Sequence, residues 1–251
     1  LYTIPSFQNP AGVTQPAARR REILDIAQSA GLLVIEDDPY GLLGFSGEPP
    51  RALRADAEDG VIYLGSFSKT FAPGLRVGWA LAPHAVREKL VLAAEASVLC
   101  PPSFNQMVVS RYLETADWMG QVKVFRELYR ERRDAMIGAL EEQFPRDTHW
   151  THPQGGFYVW LTLPEGLDSQ AMLPRAVTDR VAYVPGTAFY ADGFGTRSMR
   201  LSYCYPTPER IGEGVRRLAG VVEAELDLVR TFGPGAIPGR TGLGLPAPDL
   251  T

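Results

Sequence analysis

Cysteine and histidine are scarce in this chain of 251 residues, which contains two cysteines and three histidines. Cys100 and Cys204 lie far apart and form no C-x-x-C pair, which favours a reducing, cytoplasmic compartment. His149 and His152 stand three residues apart, but no third ligand lies near them in the sequence, so a loop pair is favoured over a zinc site. The sequence therefore predicts no metal centre.

Long apolar runs and an excess of basic charge are also missing. No window approaches the roughly 18 uninterrupted apolar residues of a membrane span, so no membrane partner is expected. The 25 basic residues are outnumbered by 29 acidic ones, and the net charge of −4 argues against nucleic acid as a partner. A hydrophobic fraction of 45% and a charged fraction of 22% are ordinary for a globular protein.

The two ends of the chain differ in character. Residues 1–4 are already strand-like and carry no methionine, cap or leader, so we expect the sequence to begin inside a longer protein. Residues 233–251 are rich in glycine and proline and offer little to bury, which predicts a disordered tail.

The first hundred residues alternate strand and helix patterns. Strand patterns occupy residues 1–4, 32–38, 61–67 and 77–82. Residues 9–12 (Asn-Pro-Ala-Gly) suit a type I turn, and the following helix is expected to start from a Thr14 cap and to end before Gly31. The continuous apolar run at 32–38 suits a strand covered on both faces, as in a parallel sheet.

Beyond residue 85 the pattern changes to long helices followed by short strands. Helices are predicted at 84–99, 104–116, 118–144 and 209–229, and strands at 156–163, 181–186 and 198–204. We therefore predict an α/β fold with a mostly parallel sheet, followed by a smaller α+β unit. The predicted division is 1–118 for the larger unit and 119–232 for the long helix and the smaller one, with the boundary between residues 118 and 145.

Unusual polar chemistry follows three successive predicted strands, at residues 6–9, 36–40 and 66–69. If these strands are parallel, their carboxyl ends share one edge of the sheet, which is where open α/β sheets bind ligands. The edge would hold an amide, a carboxylate, a phenol, hydroxyls, the amine of Lys69 and the guanidinium of Arg76. Pyridoxal phosphate offers the matching aldehyde, phosphate, ring nitrogen and ring hydroxyl.

Simpler interpretations exist for each element of this set. Lys69 alone is more often a surface lysine, Tyr40 alone is more often a core residue, and Arg200 alone is more often an ion-pair partner. Residues 36–38 could hold Mg²⁺, but the Pro-Tyr that follows and the lack of a phosphatase-type motif argue against this. The glycines near Arg76 are not a dinucleotide fingerprint, because no G-x-G-x-x-G opens a helix.

Four motifs in a fixed order carry a family resemblance. They are N-P-A-G at 9–12, E-D-D-P-Y at 36–40, S-F-S-K followed by R-V-G at 66–78, and M-R-L-S at 199–202. In these motifs the chain resembles the fold type I pyridoxal-phosphate aminotransferases, in the branch with the α-aminoadipate and kynurenine enzymes. The resemblance covers nearly all of residues 1–230 and implies that fold, with the N-terminal part of the large domain missing from this sequence.

The resemblance implies roles for four residues around the cofactor ring. Lys69 would form a Schiff base with pyridoxal phosphate and would then carry a proton between substrate Cα and the cofactor carbon. Asp37 would face the pyridine nitrogen. Tyr40 and Asn9 would hold the ring hydroxyl, with Asn9 also lying beside the substrate carboxylate.

The remaining implied contacts are to the phosphate and the substrate. Ser66 and Arg76 would hold the phosphate, with Ser68 a further candidate. Arg200 would clamp the α-carboxylate of the amino acid, together with Asn9. By the same resemblance the protein is expected to be a homodimer that completes its active sites across the subunit interface.

The expected activity is transfer of an amino group from an amino acid to a 2-oxo acid, with 2-oxoglutarate as the expected acceptor. Two alternatives stay open: an aminotransferase-like effector domain of a GntR-type transcription regulator, and a pyridoxal-phosphate lyase or decarboxylase. Such regulators often depart from the N-P-x-G and D-x-x-Y patterns, which are intact in this chain.

Overall fold

The computed structural model of the protein describes residues 1–233, which form two four-stranded sheets and six α-helices. The first sheet has the order β1-β2-β3-β4. Its strands are β1 (Tyr2–Thr3), β2 (Val34–Asp37), β3 (Val61–Ser66) and β4 (Gly78–Leu81). The first three strands are parallel and β4 is antiparallel to β3, which confirms the predicted mostly parallel sheet.

The second sheet is wholly antiparallel and has the order β5-β6-β8-β7. Its strands are β5 (His149–Trp150), β6 (Tyr158–Thr162), β7 (Val184–Pro185) and β8 (Ser198–Ser202). The helices are α1 (Ala17–Ser29), α2 (His84–Val98), α3 (Ser103–Thr115), α4 (Trp118–Gln143), α5 (Ser169–Thr178) and α6 (Pro208–Phe232). The predicted α/β sheet followed by an α+β unit is confirmed. The domain boundary stays a prediction, and the predicted tail lies, from residue 234 on, outside the described residues.

The first sheet is covered on one face by α1. Val34 and Val61, both almost fully buried, pack with Ala27 of that helix. Ile35 and Asp37 point to the other face and are only half-buried, so the predicted cover on both faces is not met within residues 1–233. No helix in this part of the chain is both long and apolar enough to cross a bilayer.

The second sheet carries the larger core. Helices α4 and α6 pack against each other and against β6 and β8. Helix α6 buries Ile211, Val215, Leu218 and Val222, which recur every three or four positions and so form one apolar stripe. Burial of these side chains supplies the main stabilisation of this unit.

The loop after β1 differs from the sequence prediction in two respects. The backbone N–H of Gly12 donates to the carbonyl of Gln8 and not to that of Asn9, so residues 9–12 lack the hydrogen bond of the predicted type I turn. Thr14 does not cap α1: its hydroxyl accepts the backbone N–H of Phe7 (3.1 Å), and the helix starts from Pro16 without a side-chain cap. The Thr14 hydroxyl therefore stabilises the loop rather than the helix.

Arg20, which is buried, ties this loop to helix α1. Its guanidinium donates to the Pro5 carbonyl (2.8 Å), to the Ser6 hydroxyl (2.9 Å) and to the Arg51 carbonyl (2.9 Å). The segment that leads to Asn9 is thereby fixed from the helix side.

Gly12 in this loop is buried, with φ +68°, and an added Cβ would overlap the carbonyl oxygen of Tyr158. We expect Gly12→Ala to lower the free energy of unfolding by about 3 kcal/mol, because it adds steric overlap to left-handed backbone strain. Urea denaturation measures the loss.

Gly31→Ala is the matched control. Gly31 has φ +62° but nothing within 4 Å of an added Cβ, so it carries only the backbone cost, about 1 kcal/mol. Equal losses at Gly12 and Gly31 would show that the overlap with Tyr158 contributes nothing.

Candidate active site

The carboxyl ends of the three parallel strands lie at one edge of the first sheet. Asp37 ends β2 and is paired with Leu64 of β3, Ser66 ends β3, and Asn9 lies in the loop that follows β1. The topology thus brings the three polar segments singled out in the sequence to one side of the sheet.

Arg200 reaches this edge from the second sheet. It lies in β8 opposite Trp160, and its Nη1 donates to Asn9 Oδ1 at 2.6 Å. The Nε atom of Arg200 is buried and has no hydrogen-bond partner within residues 1–233. One nitrogen of the guanidinium therefore holds Asn9, while the opposite edge keeps donors for another ligand.

Two aromatic rings flank this guanidinium. Arg200 Cζ lies 4.2 Å from the ring centroid of Tyr158 and 5.1 Å from that of Phe189. Contacts of this kind attract a cation to the ring face and limit its rotation. The free Nε edge of Arg200 is therefore held in place, and a planar edge of two donors matches a carboxylate.

Tyr40, Phe157 and Tyr158 form an aromatic cluster beside Arg200. The ring of Tyr40, 4% exposed, makes edge contacts with Phe157 (5.4 Å between centroids) and with Tyr158 (6.1 Å). Burial, with the neighbouring Tyr158, raises the pKa of Tyr40 above its ordinary value. The phenol therefore keeps its proton near neutral pH and can donate a hydrogen bond.

Lys69 borders this cluster from the loop after β3. Its Nζ lies 5.9 Å from the ring centroid of Phe157, which also packs against Tyr129 (4.7 Å). None of the ion pairs among residues 1–233 includes Lys69. The amine thus stands at the ligand edge without a carboxylate partner in the described part of the chain.

The two serines and Arg76 form a separate polar group on the same loop. Ser66 Oγ accepts the backbone N–H of Ser68 (3.0 Å), and Arg76 Nη1 donates to Ser68 Oγ (3.2 Å). Arg76 is exposed and has φ +54°. Asn105 of α3 donates to the carbonyl of Leu75 (2.9 Å) and so fixes the loop beside it.

Asp37 has a partner that the motifs did not indicate. The hydroxyl of Tyr2 donates to Asp37 Oδ2 at 2.6 Å. Partial burial of this hydroxyl, its hydrogen bond to Asp37 and the charge of that carboxylate raise the pKa of Tyr2 to about 12. Tyr2 therefore stays a donor throughout the neutral range.

The neighbouring carboxylates do not join Asp37. Glu36 is fully buried on the other face and accepts the backbone N–H groups of Leu53 (2.9 Å) and Arg54 (3.0 Å), while burial raises its pKa. Asp38 accepts the hydroxyl of Tyr63 (3.0 Å). Among the residues described, no three acidic, histidine or cysteine side chains are grouped to hold a metal ion. The magnesium alternative thus has no support in this arrangement.

Phe7 joins the loops around the site. It is buried, with φ +51°, and lies against Gly44 and Gly155, where an added Cβ would approach its ring to 2.9 Å and 2.6 Å. Gly44 and Gly155 also form an isolated backbone bridge. The loop after β1, the segment after Tyr40 and the loop before β6 are therefore packed as one unit.

Comparison with known proteins identifies the family. A sequence profile described as "Aminotransferase class I and II" matches residues 3–218. The chain belongs to the class I and II aminotransferase family. The aromatic-amino-acid aminotransferase 1 of Thermococcus litoralis is 46% identical over 228 residues, which are 90% of this chain and 54% of that protein.

A solved structure in this family is similar over the same span. It is the α-aminoadipate aminotransferase LysN from Thermus thermophilus, complexed with N-(5'-phosphopyridoxyl)-L-leucine, with 42% identity and a TM-score of 0.88. The match covers 91% of this chain and 60% of that one. The predicted resemblance and the α/β fold are thereby confirmed.

A third relative is named as a transcriptional regulator and not as an enzyme. The uncharacterized HTH-type transcriptional regulator YisV of Bacillus subtilis is 35% identical over 220 residues, 87% of this chain and 45% of that protein. The chain spans about half the length of the curated relatives it matches.

Three residues at this candidate site were not indicated by the sequence motifs. Tyr2 could have been found from strand pairing, because a parallel register that sets Tyr2 beside Ile35 puts it on the face of Asp37. Tyr158 lies in the predicted strand 156–163, but nothing in the spacing linked its ring to Arg200. Phe189 lies in a segment with no signal of its own.

Proposed function

We propose that the protein containing this chain is a pyridoxal-phosphate-dependent amino-acid aminotransferase. The observation that carries the proposal is the joint placement of Arg200 and Asn9 on one aromatic cluster with Tyr40 and Lys69. Within residues 1–233 the Nε of Arg200 has no hydrogen-bond partner, and the amine of Lys69 forms no ion pair. A guanidinium and an amine on one aromatic cluster suit a substrate that has a carboxylate and an amino group on one carbon.

The groups at the ring end of the site fit the cofactor. Asp37 has one oxygen engaged by Tyr2, which leaves the other for a protonated ring nitrogen. Tyr40, which stays protonated, can donate to a ring hydroxylate, and Asn9 offers its amide nitrogen there. Lys69 brings an amine without a competing carboxylate.

The phosphate end fits as well. Arg76 is exposed and pairs with no carboxylate in the described residues, and the hydroxyls of Ser66 and Ser68 adjoin it. A guanidinium with two hydroxyl donors matches the charge and the acceptor oxygens of a phosphate monoester.

The chain's own residues would then have separate roles in substrate binding and proton transfer. When bound, pyridoxal phosphate supplies an aldehyde that bonds amines and a ring that accepts electrons from the substrate Cα. Arg200 would bind and orient the substrate carboxylate, with Asn9 fixing the guanidinium. Lys69, released from the cofactor, would take the proton from the substrate Cα as general base and deliver it to the cofactor carbon as general acid.

The names of two relatives support a proposal for the substrates. We propose an amino donor with an aromatic or a long acidic side chain, as the names of the Thermococcus and Thermus proteins indicate for those enzymes. A 2-oxo acid, with 2-oxoglutarate as the first candidate, would be the acceptor. We further propose a cytoplasmic homodimer with shared active sites.

The test uses the full-length protein. We expect a visible absorbance band that borohydride discharges, with the cofactor then retained on Lys69, and amino transfer from aromatic or aminoadipate donors to 2-oxoglutarate. A peptide map locates the label. Cofactor retention on a different lysine, or no transfer with any amino acid, would contradict the proposal.

A second candidate rests on the similarity to YisV, which is named as a regulator. In that case the domain would bind the cofactor and an amine effector, and full-length protein would bind operator DNA with an affinity that the effector changes. The intact residues of the catalytic set favour the enzyme. Release of CO₂ or ammonia without amino transfer would instead indicate a decarboxylase or a lyase.

A further inference from the structure

Tyr2 and Asp37 form a hydrogen bond that the proposed reaction does not yet use. Tyr2 lies in β1 beside Ile35 of β2, so its side chain shares a face with Ile35 and with Asp37 two residues further on. The hydroxyl reaches Asp37 Oδ2 at 2.6 Å. This length is typical of a hydroxyl bonded to an ionised carboxylate.

The surroundings of Tyr2 argue against a packing role. Within residues 1–233 Tyr2 is 58% exposed, so its side chain adds little to the core of the described part of the sheet. Its hydroxyl makes one hydrogen bond within the described residues, and that bond goes to the carboxylate proposed to face the cofactor ring. Removing the hydroxyl should therefore change Asp37 more than it changes the fold.

We propose that Tyr2 is a positioning residue for Asp37. By holding Oδ2, it fixes the rotation of the carboxylate so that Oδ1 meets the ring nitrogen of the bound pyridine cofactor. The inference rests on the proposed function, since it needs that ring at the site. Tyr2 lies outside the four sequence motifs and would be an additional residue of the proposed cofactor site.

A neighbouring pair offers a matched control. Tyr63 donates to Asp38 Oδ2 at 3.0 Å, which is the same kind of tyrosine–aspartate bond one residue further along the chain. Asp38 is not part of the proposed site. Tyr63→Phe should therefore leave cofactor binding unchanged, whatever it does to stability.

The experiment titrates the full-length apoprotein with pyridoxal phosphate and follows the visible absorbance. We expect Tyr2→Phe to raise the dissociation constant about 10-fold, as for loss of one hydrogen bond to a charged group. The same titration with 1-deazapyridoxal phosphate, which lacks the ring nitrogen, should show wild type and Tyr2→Phe within about 2-fold of each other, because the mutated bond then has no ring nitrogen to serve.

A double-mutant cycle adds a second measurement. In an Asp37→Ala background the acceptor is gone, so Tyr2→Phe should weaken binding of pyridoxal phosphate by less than about 2-fold further. If the losses of affinity from Tyr2→Phe and Asp37→Ala were additive, Tyr2 would be merely structural and the inference would be overturned. An equal loss of affinity for pyridoxal phosphate and for 1-deazapyridoxal phosphate in Tyr2→Phe would have the same meaning. No difference between Tyr2→Phe and wild type would do the same. A wild-type protein that binds no cofactor would overturn the proposed function first, and this inference with it.

Discussion

Lys69→Ala in the full-length protein is expected to abolish amino transfer, with a loss in kcat of more than about 10⁴-fold. The substitution removes the amine that would bond the cofactor and the group that would move the proton at Cα. Steady-state turnover with an amino acid and 2-oxoglutarate measures the loss.

The fold should survive this substitution. Lys69 is half-buried and takes part in no ion pair among residues 1–233, and its Nζ lies 5.9 Å from the ring centroid of Phe157. We expect the free energy of unfolding to change by no more than about 0.5 kcal/mol. Lost activity could not then be attributed to unfolding.

Lys123→Ala is the control for Lys69. Lys123 is an exposed lysine on α4 and has no part in the proposed site. Its replacement should leave both turnover and stability at the wild-type level. Turnover by Lys69→Ala within 10-fold of wild type would show that another group carries the proton, and the assignment of Lys69 would be wrong.

The position of Lys69 was predictable because the information was local. Apolar runs that end in polar residues indicate strands of a parallel sheet, and parallel strands put their carboxyl ends at one edge. The structure has that parallel pairing for β1, β2 and β3. The placement of Asp37 and Asn9 at the same edge as Lys69 follows from the same pairing and was predictable for the same reason.

The contact between Asn9 and Arg200 was not predictable in this way. The two residues stand 191 positions apart, with Asn9 in the loop after β1 and Arg200 in β8, so only the packing of this loop against the second sheet brings them to 2.6 Å. Likewise, Phe189 follows β7, and the pairing of β7 with β8 brings its ring to Arg200. The family resemblance implied that Arg200 and Asn9 share the substrate carboxylate, while residue spacing alone gave no sign of it.

Local rules also failed where tertiary contacts outweighed them. Threonine is a favoured residue type at helix N-caps, yet the hydroxyl of Thr14 accepts a hydrogen bond from the backbone N–H of Phe7 in the loop. Phe7 in turn is held in a left-handed conformation by close packing against Gly44 and Gly155. Both residues lie in the loop that carries Asn9, where packing around the site decides the backbone conformation.

Arg200→Ala is expected to lower kcat/KM for amino-acid donors by about 1,000-fold, equivalent to about 4 kcal/mol. The guanidinium would otherwise bind the carboxylate through the edge of its Nε, which has no hydrogen-bond partner among the described residues. Arg200→Lys should fall between wild type and Arg200→Ala, because it keeps the charge but loses the two-donor fork.

An amino donor that has no carboxylate distinguishes a loss of carboxylate binding from a general disruption of the site by Arg200→Ala. With an amine such as 2-phenylethylamine, wild type and Arg200→Ala should differ by less than about 3-fold, since the lost contact has no partner on this substrate. The affinity for pyridoxal phosphate should also be unchanged. The dissociation constant from absorbance titration and the rates with both donors test these expectations together.

Arg197 provides the matched arginine control, because it lies three positions earlier and holds the backbone rather than the site. Its guanidinium donates to the Leu163 carbonyl at 3.0 and 3.1 Å, and its nearest carboxylate is that of the exposed Glu165, at 3.8 Å. Arg197→Ala should therefore lower the free energy of unfolding. Any change in rate that it causes should be the same for the amino acid and for the carboxylate-free amine. If Arg200→Ala slowed the carboxylate-free amine as strongly as the amino acids, Arg200 would act in general site architecture, and the carboxylate would have to be bound elsewhere.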